Sequence, residues 1–155
     1  MATGEVSVRI DRPPRVVFAV LSDVEQNPHW STSAIESRLT SGGPVGIGST
    51  AHEVSRFLGR RVEVDTQVVA FEPDRLLGVI VTGGPFPLRA TFDVEPVDAG
   101  SQVRVSFEAR PTGALRLADR PFAIVVRRKF EADLASLKRL LEDHGPVVSR
   151  AQSEG

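Results

Sequence analysis

At 155 residues, with 41% hydrophobic and 25% charged side chains, the chain has the size and composition of one globular domain. Its formal charge is −1 and its basic residues are scattered, which argues against nucleic acid as a partner, because phosphate binding needs a concentrated basic face. There is no cysteine, which excludes disulfides, thiolate metal sites and thiol nucleophiles.

No run approaches the roughly 18 apolar residues of a membrane span. Met1 to Glu5 lacks the basic-then-apolar pattern of a secretory signal, so a cytoplasmic location is expected. Lysine occurs only at Lys129 and Lys138, the other basic residues being arginine; that bias fits a high-GC bacterial genome and carries no mechanism.

In chain order, Val6, Val8 and Ile10 alternate with polar residues as a strand does. Pro13-Pro14 stops that strand and suits the first turn of a helix, over which Val16, Val17, Val20, Leu21 and Val24 recur at helical spacing up to Asn27-Pro28, with His29-Trp30 closing the segment. Ile35, Ser37 and Leu39 alternate in a second strand that ends at Ser41-Gly42-Gly43-Pro44. From Ser49 to Arg110 the pattern predicts five strands in a meander.

Hairpin chemistry tests that meander. Gly59-Arg60 reads as a two-residue type II′ turn, which pairs Arg56 with Glu63, Glu53 with Thr66, Ser55 with Val64 and Phe57 with Val62. One face is then charged and the other mostly apolar. Around Asp98-Ala99-Gly100, aligning Val94 with Val103 sets Phe92 opposite Val105, Ala90 opposite Phe107, Asp93 opposite Arg104 and Arg89 opposite Glu108. A one-residue slip would scramble these matches. Leu76 to Val81 is apolar on both faces, with Leu77, Val79 and Val81 expected inward.

After Pro111-Thr112-Gly113 the period becomes helical. Leu115 and Leu117 form a short first piece, and Pro121 starts or kinks the main helix. Val126, Phe130, Leu134, Leu137 and Leu141 make one apolar stripe, and Gly145-Pro146 ends it. The reading is an α+β fold: a curved antiparallel sheet of about seven strands, two short helices after the first strand, and one long C-terminal helix that the sheet wraps. Residues 1–145 form one domain and 146–155 are expected to be a disordered tail. In such an arrangement the gap between sheet and helix is commonly a cavity.

Several segments spread along the chain carry a family resemblance. They are Ile10-Asp11-Arg12-Pro13-Pro14 leading into Val16-Val17-Phe18, the stretch from Asp23 to Trp30, Gly46-Ile47-Gly48, Phe57-Leu58-Gly59-Arg60-Arg61, Phe71 to Leu76, and Phe130-Glu131-Ala132-Asp133-Leu134. In these the chain resembles the SRPBCC superfamily, the START-like, helix-grip fold of polyketide cyclases/dehydrases and lipid-transfer proteins. The resemblance implies a hydrophobic ligand in the cavity and supplies no transferable catalytic set.

By the hairpin registers the cavity is lined by Phe57, Val62, Val64, Val68, Phe92, Val105, Phe107, Val126 and Phe130, with Ser55 and Thr66 as polar contacts and Trp30 at the mouth. Glu53 is the ionisable strand side chain on the concave face. A carboxylate among apolar groups suits general acid–base work or orientation of a ligand hydroxyl; the plainer reading is a place near a wet cavity mouth, or a hydrogen bond to Thr66 and to a helix residue. Trp30 either contacts ligand or plugs the gap between helix and sheet.

His52 falls on the convex face, His29 lies near the entrance, and His144 ends the last helix. No two histidines have the spacing of metal ligands, so neither a metal nor another cofactor is expected. Arg56, Arg89 and Arg104 are accounted for by Glu63, Glu108 and Asp93, and Arg127-Arg128-Lys129 reads as a solvent face. Gly46-Ile47-Gly48-Ser49-Thr50-Ala51 mimics a dinucleotide-binding loop, yet a strand follows it and no helix N-terminus is there to receive phosphate. Three functions stay open: a cyclase/dehydratase-like enzyme using Glu53, a carrier or sensor of a lipid-like molecule, and an interaction module with a vestigial cavity. The protein is expected to be a monomer or a homodimer.

Overall fold

The computed structural model describes residues 2–111 and 119–143. The expectations for Leu115, Leu117, His144, the stop at Gly145-Pro146 and the tail 146–155 lie outside the described residues.

Seven strands form one antiparallel sheet: β1 (Ala2–Ile10), β2 (Ala34–Leu39), β3 (Thr50–Phe57), β4 (Arg60–Glu72), β5 (Leu76–Gly83), β6 (Leu88–Val97) and β7 (Gly100–Ala109). Their order across the sheet is β1-β7-β6-β5-β4-β3-β2. Consecutive strands from β2 to β7 are therefore neighbours, as the turn residues between them require, and β1 pairs with the last strand over its whole length, Ala2 opposite Ala109 and Ile10 opposite Ser101.

That pairing depends on Gly4, which lies opposite Phe107. A Cβ at residue 4 would come within 2.5 Å of the Phe107 ring. Gly4 thus gives Phe107 the room to lie flat across β1, where it stacks on Phe130 with ring centroids 5.5 Å apart.

Between β1 and β2 come α1 (Pro14–Leu21), a 3₁₀ turn (Val24–Gln26) and α2 (Asn27–Trp30). The two short helices expected after the first strand are thus α1 and α2, and the 3₁₀ turn separates them. Asp23 accepts from the Glu25 amide and from Gln26 Nε2, and this local bonding diverts the backbone from a continuous helix. The break turns Asn27 and Trp30 towards the sheet.

The long helix α3 (Asp119–Asp143) runs about 37 Å at 1.5 Å per residue. Its stripe of Val126, Phe130, Leu134, Leu137 and Leu141 is buried, each such side chain contributing roughly 1.5–3 kcal/mol by leaving water. A clasp fixes its C-terminal end to the sheet: Lys138 Nζ donates to the Arg9 carbonyl at 2.7 Å, and Glu142 accepts from the Asp11 amide at 2.8 Å and from Lys138 at 2.9 Å. Lys138 first, then the Asp11 amide, hold the Glu142 carboxyl below the usual carboxylate range.

The β6–β7 register agrees with expectation throughout, including Val94 opposite Val103, Asp93 opposite Arg104 and Arg89 opposite Glu108. Arg104 nevertheless makes its ion pair with Glu5 of β1, at 3.0 Å, a partner invisible until β1 is placed beside β7.

The β3–β4 register needs correction. The turn residues are Leu58 and Gly59, not Gly59 and Arg60; both have positive φ, 52° and 77°, the mark of a type I′ turn. Every pair moves by two residues: Glu53 faces Val64 rather than Thr66, Ser55 faces Val62, and Arg56 faces Arg61 rather than Glu63. The physical reason is twist. A type I′ turn matches the right-handed twist of the strands closely enough for leucine to occupy a position that glycine or asparagine usually fills. Because the error is two residues and the side-chain period is also two, each residue keeps its face.

Candidate functional site

The concave face of the sheet and the inner side of α3 enclose a cavity of about 200 Å³. β3 and β4 supply Glu53, Ser55, Phe57, Val62, Val64, Thr66 and Val68. β5 supplies Leu77, Val79 and Val81, inward as predicted, and β6 supplies Leu88, Ala90 and Phe92. Val126, Lys129, Phe130 and Asp133 line it from α3, and Asn27 and Trp30 from α2.

Of the residues singled out from the sequence, Glu53, Trp30, Ser55, Phe57, Val62, Val64, Thr66, Val68, Phe92, Val126 and Phe130 come together on this wall. Phe107 and Val105 do not join them. Both are buried, at 2% and 0% exposure, and Phe107 packs between Gly4 and Phe130, so its place is in the core beneath the helix.

Glu53 is half-buried. It accepts from Ser55 Oγ at 2.7 Å and from Asn27 Nδ2 at 3.3 Å. The expectation of a bond to Thr66 fails with the register, since Thr66 lies opposite Ala51; the helix residue that holds Glu53 is Asn27, the first of α2. Trp30, three residues on, is buried at 6% exposure, a part of the wall rather than an exposed lip. Its ring meets Phe92 edge-on at 6.3 Å.

Towards the β3–β4 turn, Phe57, Phe86 and Phe122 form an aromatic cluster, with Phe86 and Phe122 4.9 Å apart and Phe57 5.2 Å from Phe86. Phe57 lies about 13 Å along the strand from Glu53, at 3.3 Å per residue. The cavity is therefore polar near α2 and aromatic near the turn.

Sequence reasoning missed the charged group on α3. Asp133 is 2% exposed and accepts from the Thr32 amide at 2.7 Å and from Thr32 Oγ1 at 2.6 Å; its other oxygen takes the Lys129 ammonium. Lys129 also stands 4.9 Å from the Phe130 ring centroid. Arg127 alone of that basic run is seen paired on the outside, with Glu131 at 3.1 Å; Lys129 faces inward, which corrects its reading as solvent face. A signal existed: residue 133 lies three after Phe130 and four before Leu137, on the buried stripe itself.

His52 sits on the opposite face of the sheet, as expected, bonded to Asp65 at 2.7 Å and Glu63 at 3.1 Å. Those two carboxylates, Asp65 first, raise its pKa above the ordinary histidine value. Among the described residues no three histidine, aspartate or glutamate side chains converge as a metal site, and no helix is long and apolar enough to cross a membrane.

The family model described as polyketide cyclase/dehydrase and lipid transport matches residues 1–142. The chain belongs to that family. Solved structures place the fold of this family member among START-like proteins. A START superfamily protein from Mycobacterium smegmatis superposes with a TM-score of 0.76 at 15% identity, covering 92% of this chain and 99% of that one. The Zhui aromatase/cyclase from Streptomyces sp. R1128 gives 0.75 at 16%, covering 92% and 94%. A protein from Thermus thermophilus gives 0.78 at 15%, covering 88% and 94%. No curated protein matches the family member in sequence. The helix-grip architecture expected from the sequence is thus the observed one, and identities this low speak to fold alone.

Proposed function

We propose that the protein binds a small hydrophobic molecule in the cavity between its sheet and α3. The observation that carries this reading is an apolar space of about 200 Å³ kept open inside a core that is close-packed elsewhere. An engineered cavity of ~150 Å³ lined by aliphatic and aromatic side chains takes up benzene, so this one has room for a compact molecule of one or two rings. A wall mostly apolar with a few clustered polar groups is the usual construction of a ligand pocket.

The test is native mass spectrometry of the purified protein with identification of anything extracted, combined with probe binding followed through Trp30, the sole tryptophan in a chain without tyrosine. A co-purified apolar molecule, or quenching of Trp30 by aromatic probes, supports the reading. An unloaded protein that also ignores a panel of fatty acids, polyketides and aromatic probes overturns it in favour of a vestigial cavity.

Glu53 favours a second reading, in which the bound molecule is also cyclised or dehydrated. Such chemistry takes a proton from carbon beside a carbonyl and returns one to oxygen, while the cavity holds the chain folded for attack. Glu53, held from two sides by Ser55 and Asn27, is placed to move that proton, and an aromatase/cyclase is among the proteins of similar fold. Glu53→Gln is expected to abolish turnover and preserve binding; turnover that survives it removes Glu53 as the acid–base group.

A further inference from the structure

The tip of the β3–β4 hairpin combines two features from which the protein alone gains no stability. Arg56 lies directly opposite Arg61, and Phe57 opposite Arg60, so the guanidinium groups of Arg56, Arg60 and Arg61 crowd the end of the ladder, all on exposed residues. Like charges set opposite each other destabilise a hairpin. Among the described residues none of these arginines has an ion-pair partner. The carboxylates nearest by register, Glu36 and Glu63, flank Val54 further along the strand, and Glu63 is bonded to His52. Past the arginines the chain turns at Leu58, an apolar residue 64% exposed, with a φ of 52° in a region unfavourable to leucine. The base of the hairpin is anchored, since Phe57 packs on Phe86 at 5.2 Å and meets Phe122 at 6.4 Å. What projects beyond that anchor is a leucine ringed by cations.

We propose that this tip docks the protein on an anionic membrane surface, with Leu58 dipping among the acyl chains while Arg56, Arg60 and Arg61 bond lipid phosphates. A layer of anionic headgroups relieves the repulsion between the arginines and takes up the exposed leucine at the same time. Arginine suits the place, because its planar fork grips phosphate through two hydrogen bonds and its apolar stem can lie beside lipid. Shape favours a bilayer over a protein partner. A specific protein interface buries roughly 800 Å² on each side, which a narrow convex tip does not offer, whereas fluid headgroups close around a protrusion. Docking of this kind is peripheral and reversible, far weaker than the insertion of a spanning helix.

The test is co-sedimentation of the full-length protein with vesicles of pure phosphatidylcholine, or of an equal mixture of phosphatidylcholine and phosphatidylglycerol. Binding is expected to the mixed vesicles only, falling steeply as salt rises. Arg56→Gln and Arg61→Gln should each weaken it roughly fivefold, the scale of one cation at an anionic surface. Leu58→Asn, which suits the turn, should also weaken it roughly fivefold, the scale of partial burial of a leucine. Arg75→Gln removes the same charge from the turn between β4 and β5, at the other end of the sheet, and should leave binding unchanged.

Binding to neither vesicle, or equally to both, would overturn the proposal. So would binding that survives Arg56→Gln and Arg61→Gln, or that Arg75→Gln weakens as much, since net charge alone would then be at work. Displacement by glycerol 3-phosphate at matched phosphate concentration would replace the membrane with a soluble anion. Retention on polyglutamate with the same arginine dependence, and none on vesicles, would assign the tip to an acidic protein segment. Arginine-dependent binding that Leu58→Asn leaves intact would overturn the insertion of the leucine.

Discussion

The residue that stands out is Asp133, a carboxylate 2% exposed on a helix face otherwise packed by aliphatic and aromatic groups. It fixes Thr32, just past α2, to α3 through two donors on one oxygen, and it neutralises Lys129 on the other. Removing one partner of a buried charge pair leaves the other uncompensated, which costs more than the pair itself contributes. Asp133→Ala is therefore expected to destabilise the protein by about 3 kcal/mol, read as a lower urea midpoint at unchanged slope. Asp133→Asn, which keeps an acceptor for Thr32, should lose distinctly less. Equal losses for the two variants would show that packing, not bonding to Thr32, sets the value. At this scale strand periodicity put Glu53 on the concave face, where it lies, whereas Trp30, expected at the mouth, is a buried part of the wall. The sequence was opaque at Lys129 and Asp133, where a charged pair occupies a stripe that hydrophobic counting scores only by its leucines and phenylalanines.

Among the elements, the β3–β4 hairpin carries a non-glycine residue in the left-handed backbone region. Leu58 is 64% exposed and holds a φ of 52°, in the left-handed region that costs an L side chain roughly 1–2 kcal/mol. Leu58→Asn creates the Asn-Gly pair that type I′ turns prefer and removes little buried surface, since Leu58 is mostly exposed. It is expected to stabilise the protein by about 1 kcal/mol, or roughly 2–4 °C in melting temperature for a domain of this size. A fall in melting temperature would mean that Leu58 makes contacts worth more than its backbone strain.

The same hairpin explains why an incorrect register still placed the site. Charge matching favoured Arg56 against Glu63, whereas the observed alignment puts His52 against Asp65 and pairs it with Glu63 diagonally. A histidine was a weaker signal than an arginine, and turn type outweighed both. His52 also makes stability depend on pH. Its raised pKa in the folded protein means that its contribution is complete below the unfolded value of about 6.5 and is lost as pH rises through the folded value. The stability gap between the wild type and His52→Gln should accordingly narrow from pH 6 to pH 8; a gap constant over that range would show that the imidazolium contributes nothing.

For the whole molecule, the decisive question is whether the central space is a site or a packing defect. Local patterns gave the strands and the long helix, and hairpin parity gave the concave face. What they could not give is the closure of β1 onto β7, a pairing across roughly the whole sheet-forming part of the chain whose only local trace is Gly4 beneath Phe107, nor the volume left once α3 has settled. That volume is the sum of many side-chain shapes, with no single residue reporting it. Val79 allows the question to be put directly, since it lies mid-sheet between Val68 and Ala90 and lines the cavity. In a close-packed core an added ring strains its neighbours and costs about 1–3 kcal/mol; beside a cavity the ring has somewhere to go and gains contacts that the wall otherwise lacks. Val79→Phe is thus expected to leave the melting temperature unchanged or raise it, while weakening the binding of an aromatic probe more than tenfold. A destabilised variant that still binds would show that the cavity relaxes around its contents and that ligand sits elsewhere. A stable variant that no longer binds would place the ligand in the space between sheet and helix.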